Sequence, residues 1–122
     1  MKMKMNKFHA LQIHFEAKCA AKQAVQDIAR EYQADNPDNE YGEPIFPCGF
    51  AWVHIPNGRG TFAKSLREAG EATKHYSGRG LHVHSPAEHR GQYVGFHEAG
   101  AHAYARVLNE YGIKAMAQSR LD

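Results

Sequence analysis

A chain of 122 residues, 43% apolar and 23% charged, has enough hydrophobic side chains for one core and too few residues to divide into two domains. That composition excludes a disordered chain, and no apolar run approaches the roughly 20 residues of a membrane span. The net charge of +2 is too small to name a partner class, so the distribution of charge carries more than its total.

Met1 to Lys7 alternates Met and Lys with no apolar stretch of a secretory signal behind it. Export is therefore not expected. The two cysteines, Cys19 and Cys48, show no CxxC spacing and read as small packing residues in a reducing cytoplasm. From Leu11 to Phe15, apolar residues alternate with Gln12 and His14, which predicts a first strand. A helix is the alternative there, because no Gly or Pro separates this stretch from the helical pattern beyond it. Ala20 to Gln33 carries Ala21, Ala24, Val25, Ile28 and Tyr32 at spacings of three and four, the stripe of an amphipathic helix. Asn36 and Pro37 end it, and the acidic stretch from Asp35 to Pro47 reads as a surface loop.

Phe50 to Ile55 is aromatic and β-branched and closes at Pro56, so a buried strand is predicted. Thr61 then offers a helix cap, with Phe62, Ala63, Leu66 and Ala69 behind it and Gly70 as the stop. Thr73–Tyr76 and Leu81–Ser85 flank a Gly-containing loop and predict a hairpin. Ala99, Ala103, Tyr104, Val107, Leu108 and Tyr111 form the apolar stripe of a last helix, opposite a polar stripe of Glu98, His102, Arg106 and Asn109. Gly112 stands at its C-cap position, and Ile113 to Ala117 is expected to return as a strand. This order predicts an α+β single domain over residues 1–122, a small mixed or antiparallel sheet of about four to five strands with three helices packed on it.

Nine histidines are the oddest feature of the composition, and imidazole serves both metal binding and acid–base chemistry. His97 and His102 fall five apart rather than four, so they diverge on a helix and do not make a zincin pair. His82 and His84, two apart on a strand, share one face. His54 joins them only if its strand is a neighbour of theirs. No cofactor motif and no metal-ligand set is present, and none is expected. Between His54 and Arg90 stand six Lys or Arg and five His against three acids, a stretch suited to an anionic partner, although a solvated mixed face is the plainer reading. The turn Asn57-Gly58-Arg59-Gly60-Thr61 joins a strand to a helix start and could hold phosphate, whereas the same residues are also ordinary turn chemistry. Trp52, Tyr76 and Tyr93 could offer stacking faces to a base, with Trp52 and Tyr93 equally suited to the core.

Cys48-Gly49-Phe50-Ala51-Trp52-Val53, Glu98-Ala99-Gly100-Ala101 with Tyr104-Ala105 and Leu108, Gly112-Ile113-Lys114-Ala115 and the end Ser119-Arg120-Leu121-Asp122 resemble a family of small proteins encoded by tailed bacteriophages and prophages, over residues 48–122. The resemblance implies a phage-derived accessory protein made in the bacterial cytoplasm, and it implies no activity. The function expected is non-enzymatic binding of nucleic acid or a nucleotide through Arg59, Lys64, Arg79, His82, His84 and Arg90, with Trp52 and the last helix building the interior. Two alternatives stand beside it: an inhibitor that binds a host defence protein directly, and a small enzyme acting on phosphoesters or nucleotides through His54, His82 and His84. No membrane partner is expected.

Overall fold

A computed structural model describes residues 5–122; of the Met/Lys-rich start, residues 1–4 lie outside it. Asn6 begins the first helix: its side-chain oxygen accepts the N–H of His9, satisfying one of the donors a helix N-terminus leaves free. With no Gly or Pro before Pro37, α1 runs unbroken over Lys7–Asp35. The strand expected at Leu11–Phe15 is therefore corrected to helix, and the helix expected from Ala20 is its second half. Burial follows Ala10, Ile13, His14, Ala17, Ala21 and Val25, the helical period, and leaves Phe15 half exposed. Five residues span barely more than one helical turn, too few for an alternation to be told from a helix stripe.

The other elements are β1 (Gly49–Ile55), α2 (Thr61–Glu68), β2 (Thr73–Lys74), β3 (Leu81–His84), α3 (Val94–Glu110) and β4 (Met116–Leu121). The strands form one antiparallel sheet in the order β2-β3-β1-β4. With three helices this is the expected α+β class. Thr61 opens α2 as its first residue rather than its cap; Gly60 holds the cap position without a side-chain bond. Asn57 Oδ1 instead accepts the N–H groups of Arg59 and Gly60, folding the turn before the helix. β4 begins three residues later than expected. Ile113 N–H closes back on Leu108 O and Gly112 takes φ +81°, a left-handed helix stop. Asn109 then clasps Ala115, donating to its carbonyl at 3.0 Å and accepting its N–H at 3.1 Å.

Strand alternation divides the sheet into two unlike faces. Ala51, Val53, Ile55, Leu81 and Val83 are buried with Phe62, Ala63 and Leu66 of α2, with Ala101, Tyr104, Ala105 and Leu108 of α3, and with Ala10, Ile13, Ala17 and Ala21 of α1. α3 lies against β1 and β4, and α1 packs along α3 and against α2. Small residues let the helices close: a Cβ on Gly100 would stand 2.8 Å from Ala87 Cβ and 3.3 Å from Val25. All three helices thus cover one face, and the other carries the alternate residues of every long strand. Among the described residues no helix is long and apolar enough to cross a membrane.

Candidate functional site

Phe50, Trp52 and His54 of β1, His82 and His84 of β3, and Met116, Gln118 and Arg120 of β4 share the face away from the helices, paired across the ladder as Trp52 with His84 and Gln118, His54 with His82, and Phe50 with Arg120. Phe50, Trp52, Tyr76, His82, His84 and Arg120 line an open concavity of about 840 Å³, with Gln118 among them. The rings make a continuous surface. His82 and His84 stack at 5.8 Å between centroids and 10° between planes, His82 stacks on Trp52 at 5.4 Å, and Tyr76 meets Trp52 edge-on at 6.1 Å. Tyr76 is 77% exposed and Phe50 39%, so flat apolar area faces outward where a soluble domain usually presents polar side chains.

Hydrogen bonds fix the inner part of this surface. Gln118 Oε1 accepts from the Trp52 indole at 2.7 Å and meets His75 Nε2 at 2.9 Å. An indole N–H can only donate, so the acceptor oxygen of Gln118 faces both rings and His75 donates from Nε2. Ser77 N–H then reaches the bare Nδ1 of His75 at 3.2 Å. His54 is held likewise: Nε2 lies 2.9 Å from Arg79 O, and a carbonyl only accepts, so Nε2 carries the proton and Nδ1 keeps a buried lone pair with no partner. His54 and His75 stack at 3.7 Å, which ties the platform to the loop that carries Arg79. Burial holds the His82 imidazole below its ordinary pKa, with repulsion from His84, His75 and His54 adding to it. At neutral pH His82 therefore presents an uncharged ring.

At the end of the sheet where β1 leaves and β3 enters, a second open concavity of about 590 Å³ is lined by Arg59, Arg67, Lys74 and Arg79 together with the backbone of Asn57, Gly58, Gly78 and Gly80. No carboxylate lines it, and among the described residues none of the four cations forms an ion pair. The two loops press on each other through glycine: a Cβ at Gly58 would meet Gly80 Cα at 3.2 Å, and one at Gly80 would stand 2.2 Å from Ile55 O. Gly80 also holds φ +81°, which a residue with a Cβ adopts only under strain.

Of the residues expected to bind, His82 and His84 lie on the platform and Arg59 and Arg79 meet in the basic concavity. Lys64 is exposed on α2, and Arg90 is exposed in the β3–α3 connection; neither lines either concavity. Trp52 is buried as expected, but on the face of the sheet away from the helices, against His82 and Tyr76. Tyr93 packs edge-on against Phe96, behind the sheet. Phe50, Arg67, Lys74, Gln118 and Arg120 are not among the residues that the sequence marks for binding. Alternation within Phe50–Ile55 would have placed Phe50 beside Trp52 and His54, but Gln118 and Arg120 fell beyond the strand expected to end at Ala117.

Two of the remaining histidines, His14 and His97, are buried and held by hydrogen bonds. His14, buried in α1, meets Glu71 through Nε2 at 3.2 Å and Tyr104 Oη through Nδ1 at 2.6 Å. Burial lowers its pKa despite the carboxylate, and it raises that of Tyr104, so a phenol O–H donates to a neutral imidazole. His97 is buried with Nε2 2.6 Å from Gly91 O, while His102 is exposed. Among the described residues no group of three or more His, Cys, Asp or Glu is placed to hold a metal ion.

An open antiparallel sheet face lined by rings, with cations gathered at one end, defines a surface suited to flat, anionic ligands. No family model, curated protein or solved structure matches the chain, so its function is argued from this geometry.

Proposed function

We propose that this chain is a non-enzymatic binder of single-stranded nucleic acid, which lies across the uncovered face of the sheet with bases on the rings of Tyr76, His82 and His84, supported from below by the buried Trp52. The observation that supports it is the juxtaposition of a ring surface with cations free of carboxylate partners. Exposed aromatic faces take any base, at about 1–3 kcal/mol per stacked base, while cations follow the backbone. A strand is favoured over a mononucleotide by length. Phe50, opposite Arg120, and Ile55, where the chain turns toward Arg59, are about 17 Å apart along β1, further than one base and its phosphate reach. A duplex is disfavoured because its base faces are already stacked on one another. In the setting that the resemblance to phage proteins implies, such a protein would coat or shield a strand in the bacterial cytoplasm.

Labelled single-stranded DNA and RNA of mixed sequence, followed by anisotropy across a salt series, test this. Contacts to three or four phosphates predict a log–log slope of about −2 to −3. Tyr76→Ala and His84→Ala alter exposed side chains and leave folding intact, yet each is expected to weaken binding by about tenfold, the loss of one stacked base. No binding to either strand, or binding indifferent to salt, overturns the proposal and leaves a protein partner as the reading to pursue.

A further inference from the structure

We infer that the concavity of Arg59, Arg67, Lys74 and Arg79 takes a terminal phosphate of the strand, so that the protein recognises an end and not only a run of backbone. This rests on the platform reading above and goes beyond it. The cations come from four separate places: the β1–α2 turn, the last turn of α2, β2, and the β2–β3 loop. An internal phosphodiester carries a single charge and satisfies one or two such groups. A phosphate monoester carries close to two charges at neutral pH and offers three acceptor oxygens, which matches a site with four converging donors and no competing carboxylate.

The site is built and not merely basic. Gly58 and Gly80 bring the two loops to a separation that a Cβ at either would disturb. Arg79 is set by its own backbone, whose carbonyl accepts the Nε2–H of His54 at 2.9 Å, while His54 stacks on His75 beside Tyr76. The ring surface therefore leads directly to the cations at this end, and the last base of a strand can stack beside Tyr76 while its phosphate turns in among them. At the opposite end Arg120 stands alone on the face, enough for a diester passing through. The contrast between one cation and four gives the bound strand a direction.

One oligonucleotide prepared with a 5′-phosphate, with a 3′-phosphate and with hydroxyl ends decides the matter on the full chain. One phosphorylated form is expected to bind about tenfold more tightly than the hydroxyl form. Arg59→Ala and Lys74→Ala, both at exposed positions, should weaken every form through a lost backbone contact but cost the favoured phosphorylated form about tenfold more, so that its advantage disappears, whereas His84→Ala should weaken all three alike and leave the advantage in place. Inorganic pyrophosphate should compete away the advantage alone. Equal binding of the three forms overturns this inference and leaves the platform standing. Failure of all three to bind removes both.

Discussion

At the scale of single residues, the two glycines of the β2–β3 loop separate conformational strain from steric contact. Gly78 and Gly80 both adopt positive φ, near +85° and +81°. A Cβ on Gly78 would meet nothing within 4 Å, whereas one on Gly80 would collide with Ile55 O and Pro56 O. Gly78→Ala should therefore cost about 1 kcal/mol, the left-handed penalty alone, and Gly80→Ala about 3 kcal/mol as the loop is driven off β1. Urea unfolding of the two variants measures the difference, and equal losses would show that the loop yields freely. Gln118 offers a second test. Replacing it with Leu leaves the Trp52 and His75 N–H groups without their shared acceptor, which should cost about 1–3 kcal/mol in the same assay because part-buried donors are left unpaired.

At the scale of elements, β4 depends on a clasp from the helix before it. Asn109 Nδ2 and Oδ1 satisfy both backbone groups of Ala115, and Ser119 Oγ donates to Glu98 on α3. Asn109→Ala should lower stability by about 1–2 kcal/mol. Amide exchange should quicken in β4 more than in β3, since β4 pairs on one side with β1 and is open on the other. The same element shows where sequence patterns run out. The α3 stripe and Gly112 marked the end of that helix correctly, but nothing in Ile113–Ala117 reveals that Asn109 will hold Ala115 in the connection and delay the strand. The composition of β1 predicts a strand correctly but does not separate its two faces, because aromatic and β-branched residues look alike whether helices or solvent lie beyond them. The first strand failed for the converse reason: Phe15 is apolar and half exposed, so hydrophobicity alone misnamed the buried face. His82 and His84 on one face were legible from a spacing of two. The convergence of Arg59 with Arg79, and of both with Arg67 and Lys74, depends on an antiparallel pairing of β1 and β3 that local sequence does not encode.

At the scale of the whole molecule, histidines on opposite sides of the sheet set two pH responses against each other. His14 lies within the helical layers, and burial holds its pKa below the ordinary value of 6.5 despite Glu71. His82, on the open side, is lowered by burial first and then by its imidazole neighbours. In both cases the unfolded chain takes up a proton at a pH where the folded chain does not, so stability is fully present above about pH 6.5 and is lost as pH falls toward the folded pKa. Binding has the reverse sign for His82 alone. A phosphate lying on the platform favours the imidazolium, and binding must then tighten as the pH falls through the range where His82 takes up its proton. His84, His54 and His75 surround that ring and Arg120 shares its concavity, while no carboxylate lines the space to absorb the new charge. Strand affinity should therefore rise as the pH falls below the ordinary histidine value of 6.5 toward the lowered pKa of His82, at constant ionic strength, even as the unfolding midpoint drops. His82→Asn should flatten the affinity profile and leave most of the stability profile, and His14→Gln should do the opposite. Profiles that move together in both variants would mean that one titrating group controls both, and the division of labour between the two faces of the sheet would be wrong.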